Sequence, residues 1–318
     1  MSSSKPIGGY FELELQHSKS YLHADAIALN TGRNCFEYIL RANKPSRVYM
    51  PKFTCDAMLE PLQKLGIPFT YYALNEKLEI ETSVDLKKEE LIVYTNYFGL
   101  KDEYSKTLGQ KYGNNLILDC SQALYFEPLS KGHTFYSPRK FFGIADGGLL
   151  YTNTTLQEEM PTDVSYKRLT HLTKRIDLGP EAGYEDFKID DASLSNKPIM
   201  EMSRLTRDML ASIDFANALQ KRKQNFNFLH AQLKEKNKLS LDVDSACPMV
   251  YPYRSDDKML RQRLIDNKVF VATYWPNVFD WCRKGEVEYT LAETILPLPI
   301  DQRYDLKDIE RVLQVVNG

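Results

Sequence analysis

"SPRKFFGIADGGLL", running from Ser137 to Leu150, places a lysine inside an apolar stretch that closes on a Gly–Gly pair and a strand-like run. Lys140 stands between Arg139 and Phe141, an odd setting for a charge that only meets solvent. A lysine amine attacks carbonyl carbon once an apolar or cationic setting disfavours its charged form. Phe141, Phe142 and Arg139 could supply both. On its own, the stretch reads most simply as a surface lysine before a turn. The segments around it change that reading.

The first half of the chain alternates strand-like and helix-like segments. "SRVYMP" (Ser46 to Pro51), "PFTYYAL" from Pro68, "LIVYTNYFG" (Leu91 to Gly99), "NLILDC" (Asn115 to Cys120), "HTFYS" (His133 to Ser137) and "GLLYTN" (Gly148 to Asn153) read as strands. Between them, "DAMLEPLQKLG" (Asp56 to Gly66) sets Met58, Leu59, Leu62 and Leu65 on one helical face and stops at a glycine. The polar segment from Lys101 to Gly113 reads as a helix. This alternation implies an α/β fold whose sheet is mostly parallel and covered on both faces.

Residues 154–199 read as irregular, with Gly179, Pro180, Gly183 and Pro198. Loop-rich stretches of that length in compact chains are often functional. A long helix from about Met202 to Lys236 follows. "MVYPYR" (Met249 to Arg254), a helix over Asp256 to Asn267, "VFVATYW" (Val269 to Trp275), "TILPLPI" (Thr294 to Ile300) and a last helix from Asp305 make a smaller α+β unit. The expected division is a large domain over residues 1–200 and a small C-terminal domain over residues 201–318.

Two further stretches belong with the lysine. In "LNTGRNCFEYIL" (Leu29 to Leu40), Thr31-Gly32 breaks the chain just before a helix. The free amides and positive dipole end of such a helix make a seat for phosphate. In "LILDCSQA" (Leu116 to Ala123), Asp119 ends an apolar strand and Gln122 follows three residues later. A carboxylate there can hold a heterocyclic nitrogen protonated, or serve only as a cap. Ligands of open α/β sheets bind outside the carboxyl ends of the strands, where all three stretches would meet. A phosphate seat, a strand-end Asp and a Lys after a further strand are the parts of a pyridoxal phosphate (PLP) site.

Here the chain resembles the fold-type I PLP-dependent enzymes, and among them the DegT/StrS-type sugar aminotransferases. "LDCSQA" is similar to that family's strand-end Asp with Gln or His three residues on. "SPRKFFGIADGGLLYTN" resembles its Lys, Gly-rich turn and strand, and "LNTGRNCFEYIL" its phosphate-binding helix start. "MPKFT" (Met50 to Thr54), "NYFG" (Asn96 to Gly99) and "ILPLPIDQRYDLKDIERV" fall at the family's intervals. The resemblance runs from Leu29 to the C-terminus. It implies Lys140 as the covalent anchor and proton carrier, Asp119 on the pyridine nitrogen and Gln122 on the phenolic oxygen. It also implies Gly32 and Arg33 amides on the phosphate.

The chain departs from the family in three places. The family's phosphate-binding Ser lies five residues before the Lys, where this chain has Phe135; Ser137, three residues before, is assigned to the phosphate instead. An aromatic normally follows Thr54 and stacks on the pyridine; this chain has Cys55, so Phe53 or Tyr97 is expected to cover the ring. The family's Asn-x-Arg motif is absent from "SNKPIMEMSRL" (Ser195 to Leu205). The resemblance implies a homodimer with shared sites and an amino-acid donor such as glutamate. The acceptor it implies is a keto compound, with a nucleotide-linked keto sugar as the leading candidate. A PLP-dependent lyase or decarboxylase, or a non-catalytic member, are the alternatives.

Composition narrows the field. Formal net charge is −2 over 318 residues, so no global field favours nucleic acid or an anionic membrane. Five widely spaced cysteines without a CxxC suggest neither a disulfide framework nor zinc, and five histidines lack ligand spacing, so no metal is expected. "MSSSKPIGG" has no apolar leader core, which makes the cytoplasm the expected compartment. "QKRK" (Gln220 to Lys223) reads as a solvated helix face, and Arg168, Arg175 and Tyr184 as possible contacts for an anionic substrate. "YWPNVFDW" (Tyr274 to Trp281) either walls the site or is core.

Overall fold

Seven strands form one twisted sheet in the order β1-β7-β6-β5-β4-β2-β3. They are β1 (Ile27–Leu29), β2 (Arg47–Pro51), β3 (Phe69–Tyr72), β4 (Glu90–Thr95), β5 (Leu116–Asp119), β6 (His133–Tyr136) and β7 (Gly148–Tyr151). β7 is antiparallel to both its neighbours, β1 and β6; every other adjacent pair is parallel. This computed structural model describes residues 7–17 and 20–318. Residues 1–6 of the stretch read for a leader lie outside the described residues.

The sheet is covered on both faces, as its apolar strands require. Along β4, Leu91 and Val93 join one core cluster while Ile92 and Tyr94 join the other. That is the two-residue period of a strand buried on both sides. Helix α1 (Gly32–Asn43) lies on the first face, with Phe36 stacked on Phe135 of β6. Helices α2 (Glu60–Leu65) and α3 (Asp102–Tyr112) complete the early crossovers. The carboxyl ends of β2, β4, β5 and β6 share one edge, as parallel pairing demands.

One glycine is fixed by this packing. A Cβ on Gly148 would run into the Thr31 carbonyl and sit 2.6 Å from Cys35 Sγ. Only a bare Cα lets β7 pass under the start of α1.

The stretch expected to be irregular contains two helices, α4 (Thr170–Leu178) and α5 (Tyr184–Ala192). Ile176, Leu178 and Ile189 stay exposed on them, so their sequence shows no clean buried stripe. The expected long helix is broken into α6 (Arg204–Ala211) and α7 (Phe215–Leu233). Asp214 makes the break by accepting from the Asn217 amide at 3.0 Å as the cap of α7.

Farther on, β8 (Tyr251–Arg254) pairs antiparallel with β9 (Ile295–Leu298). Helices α8 (Leu260–Asp266), α9 (Val278–Trp281), α10 (Val287–Thr294) and α11 (Leu306–Asn317) complete this part. Val269 to Trp275 forms no strand, against expectation; it runs as a loop that ends beside the large sheet. Near the expected boundary at residue 200, the chain hugs β1: Asn30 N donates to Met200 O and Met202 N to Ala28 O, each at 3.0 Å. A single apolar cluster then joins Tyr94 and Leu149 to Phe226 and Leu298. No helix of the described residues is long and apolar enough to cross a membrane.

Candidate active site

A cavity of about 770 Å³ opens at the carboxyl ends of the strands. Gly32, Arg33, Asp119, Ser137 and Lys140 all line it. Residues scattered over more than a hundred positions thus converge on one space.

The helix start forms one end. Thr31 caps α1, its Oγ1 accepting from Asn34 N at 2.9 Å. The amides of Gly32 and Arg33 belong to the first turn, where the helix itself provides no acceptor. A Cβ on Gly32 would touch Ser137 Cβ at 3.5 Å and the Phe135 ring at 3.8 Å, so the turn and Ser137 are neighbours. Ser137 precedes a short 3₁₀ turn, Pro138–Lys140, and its hydroxyl does not cap that turn. Phe135 is a buried strand residue in contact with α1. Donors without committed acceptors therefore cluster where an anion would sit.

Lys140 ends the 3₁₀ turn, is exposed, and borders the cavity. Arg139 is committed elsewhere, pairing with Asp191 at 3.0 Å. Arg33 turns its side chain to Glu60 (3.0 Å) and Ser195 (3.1 Å).

Asp119 forms the other end, as the last residue of β5. Its Oδ1 accepts from Ser121 N at 2.8 Å, a local turn closed by the side chain. Burial pushes its carboxyl pKa up; hydrogen bonds from Ser121 and the charge of Lys140 pull the other way. A buried carboxylate without a full cationic partner favours a positively charged ring nitrogen beside it.

Gln122 stands apart. It is fully buried and is not among the cavity-lining residues. Its Oε1 accepts from Phe98 N at 2.7 Å, because Phe98 turns through positive φ and its amide needs a local acceptor. Its Nε2 has no partner among the described residues. Such an orphaned buried donor fits a missing acceptor.

Other expectations change. Phe53 and Tyr97 do not reach the cavity; both are fully buried, and Trp275 lies in front of them. "YWPNVFDW" walls the site, since Trp275 and Trp281 both line it. Arg168 is no substrate contact: it is buried in ion pairs with Asp146 and Asp163. Arg175 lines a separate cavity of about 260 Å³, and Tyr184 stacks on Phe187 at the surface. Arg222 of "QKRK" is buried rather than solvated. Cys282, Glu286 and Glu288 bring ligand-type atoms within 4.8 Å of one another, but Lys52 pairs with Glu286 at 2.8 Å and Glu288 accepts from Leu74 N at 2.7 Å.

Some lining residues had no sequence signal. The stretch from Asp191 to Asn196 closes one wall, tied down by Asn196 N donating to Glu60 at 2.8 Å. Ser121 was legible as the partner of a strand-end Asp two residues earlier.

No family model matches the sequence, and no curated protein matches it. Solved structures do. The sugar aminotransferase CalS13 from Micromonospora echinospora is 14% identical, with 93% of this chain and 88% of that one covered at a TM-score of 0.63. NtdA from Bacillus subtilis, with bound cofactor PMP, is 15% identical over 94% of this chain and 74% of that one, with a TM-score of 0.62. DesI, in the presence of its TDP-sugar product, is 14% identical over 92% and 79%, with a TM-score of 0.63. The chain has the fold-type I architecture of these aminotransferases.

Proposed function

We propose that the protein is a PLP-dependent aminotransferase that moves an amino group from an amino acid, with glutamate the leading donor, to a keto acceptor on a nucleotide-linked sugar. The carrying observation is the convergence of the α1 amides, Ser137, Asp119 and Lys140 on one cavity. When bound, PLP supplies an aldehyde that takes up the amino group and a ring that serves as electron sink. Gly32, Arg33 and Ser137 hold the phosphate. Asp119 keeps the ring nitrogen protonated. Lys140 anchors the cofactor and carries the proton to and from substrate carbon. The similarity to NtdA with bound PMP and to DesI with its TDP-sugar product supports this cofactor and acceptor class.

The cavity lies within the roughly 300–1,000 Å³ of ligand pockets, leaving room beyond a cofactor. We infer a homodimer with a two-part subunit; the exposed apolar side chains Ile176, Leu178 and Ile189 on α4 and α5 support an interface there. Five free thiols fit the reducing cytoplasm. Incubation of the PLP-loaded protein with glutamate tests the reaction. A transaminase yields 2-oxoglutarate and the amine form of the cofactor; a lyase or decarboxylase yields neither together.

A further inference from the structure

The chain has two tryptophans, and both line the same cavity. Their settings differ. Trp275 is 8% exposed and packs edge-on against Phe53, with ring centroids 5.1 Å apart, and against Tyr97 at 6.4 Å. Those two rings are themselves locked, Tyr97 donating its hydroxyl to Phe53 O at 2.8 Å. Trp281 instead packs on Tyr71 of β3, at 5.4 Å.

The loop that carries Trp275 is pinned at a telling place. Asn277 Nδ2 donates to Thr54 O at 2.9 Å. That carbonyl immediately precedes Cys55, whose small side chain also borders the cavity. The segments that carry Trp275 and Cys55 are thereby tied together, and both side chains line the one cavity. The Asp119 end is close as well. Asn96 N donates to Asp119 O at 2.9 Å, so Tyr97, which backs the indole, follows directly on a residue bonded to the end of β5.

We propose that Trp275, supplied from beyond the large sheet, is the aromatic wall for the face of the PLP ring, in place of a side chain at Cys55. The inference rests on the PLP reading above. An indole wedged edge-on against two buried rings and bordering the cavity has little freedom left to lose on binding, which favours stacking by a planar heterocycle. It also links cofactor binding to the docking of the C-terminal part: a ligand that touches Trp275 stabilises the arrangement that holds it there.

The test is PLP affinity, read from the visible absorbance of the bound cofactor on the full-length protein stripped of cofactor, with thermal stability of the cofactor-free form measured alongside. Trp275→Ala is expected to weaken PLP by about tenfold or more, as loss of an aromatic contact of this kind implies. Trp275→Phe and Trp281→Phe should stay within about threefold of the parent. Adding Cys55→Tyr to Trp275→Ala should restore most of the affinity. An unchanged PLP affinity in Trp275→Ala would overturn the proposal. So would a loss that Cys55→Tyr fails to recover and that tracks lowered stability of the cofactor-free protein. If the parent protein itself fails to bind PLP, the functional reading falls and this inference with it.

Discussion

The guanidinium of Arg222 donates to the main-chain carbonyl of Phe141, the residue after Lys140, at 3.1 Å. The arginine comes from α7 and is 2% exposed. It also donates to Met249 O and to Gln302 Oε1, each at 2.9 Å, and lies over the Phe141 ring at 4.7 Å. Gln302 Nε2 reinforces the same carbonyl at 3.0 Å. The turn that presents Lys140 is thus fastened from behind by residues far along the chain. Arg222→Lys cannot reproduce a fork that serves three acceptors. It should cost about 2–4 kcal/mol by leaving Met249 O or Gln302 Oε1 without its buried donor, and should weaken PLP binding in parallel. Denaturant unfolding and a PLP titration of the variant measure both.

Asp119→Asn should separate stability from function. Burial raises the pKa of Asp119, so the folded state binds its proton more readily than the unfolded chain. Its contribution to stability is therefore greatest below the unfolded pKa and fades as pH rises through the higher folded value. At neutral pH the cofactor-free Asn variant should be at least as stable as the parent. Transamination should nonetheless fall roughly 100-fold or more, since a neutral amide cannot hold the ring nitrogen protonated. Unfolding curves and turnover at pH 7 give the two readouts.

Arg168 carries a buried charge network just behind the Gly147–Gly148 turn. Its Nη2 pairs with Asp146 and, at 2.6 Å, with Asp163, while Thr206 donates to Asp146. Arg168→Leu leaves two carboxylates buried without their cation. The loss should be about 3–5 kcal/mol, read as a lowered urea midpoint. Asp163→Asn, which keeps the Arg168–Asp146 pair, should cost less.

His133 sets a pH dependence. It is buried in β6, and burial lowers its pKa from 6.5 to about 4. Between those values the unfolded chain binds a proton that the native chain does not, so stability rises with pH. As pH falls, the loss begins near 6.5 and is complete near 4. His133→Gln should flatten that part of a stability profile recorded by denaturation between pH 4 and 7.

The readable parts of the sequence were those governed by local period and short motifs. Alternating apolar runs gave β2 to β7, and Asp119, Ser137, Gly32 and Lys140 were each marked by their position at a strand or helix end. The remainder depends on contacts made at long range. Arg222 sits in a basic tetrad that looks solvated until the Phe141, Met249 and Gln302 acceptors are brought to it. Arg168 resembles a surface charge until folding places Asp146 and Asp163 beside it. Trp275 lies in an apolar run that suits a strand, yet Asn277 draws its loop to Thr54. Helices α4 and α5 lack a buried stripe because their apolar side chains face outward. Gln122 reads as a ring contact from its spacing alone; the positive φ of Phe98 takes up its carbonyl, which no local pattern announces, and its Nε2 keeps no partner among the described residues.

On the proposed function, Lys140 binds the cofactor covalently. Reduction of the PLP-loaded protein with borohydride, followed by peptide mass analysis, tests it most directly. One added reduced pyridoxyl phosphate is expected on the peptide containing Lys140, and neither that mass nor the Schiff-base absorbance in Lys140→Ala. Label spread over other lysines, or a Lys140→Ala protein that transaminates at the parent rate, would contradict it.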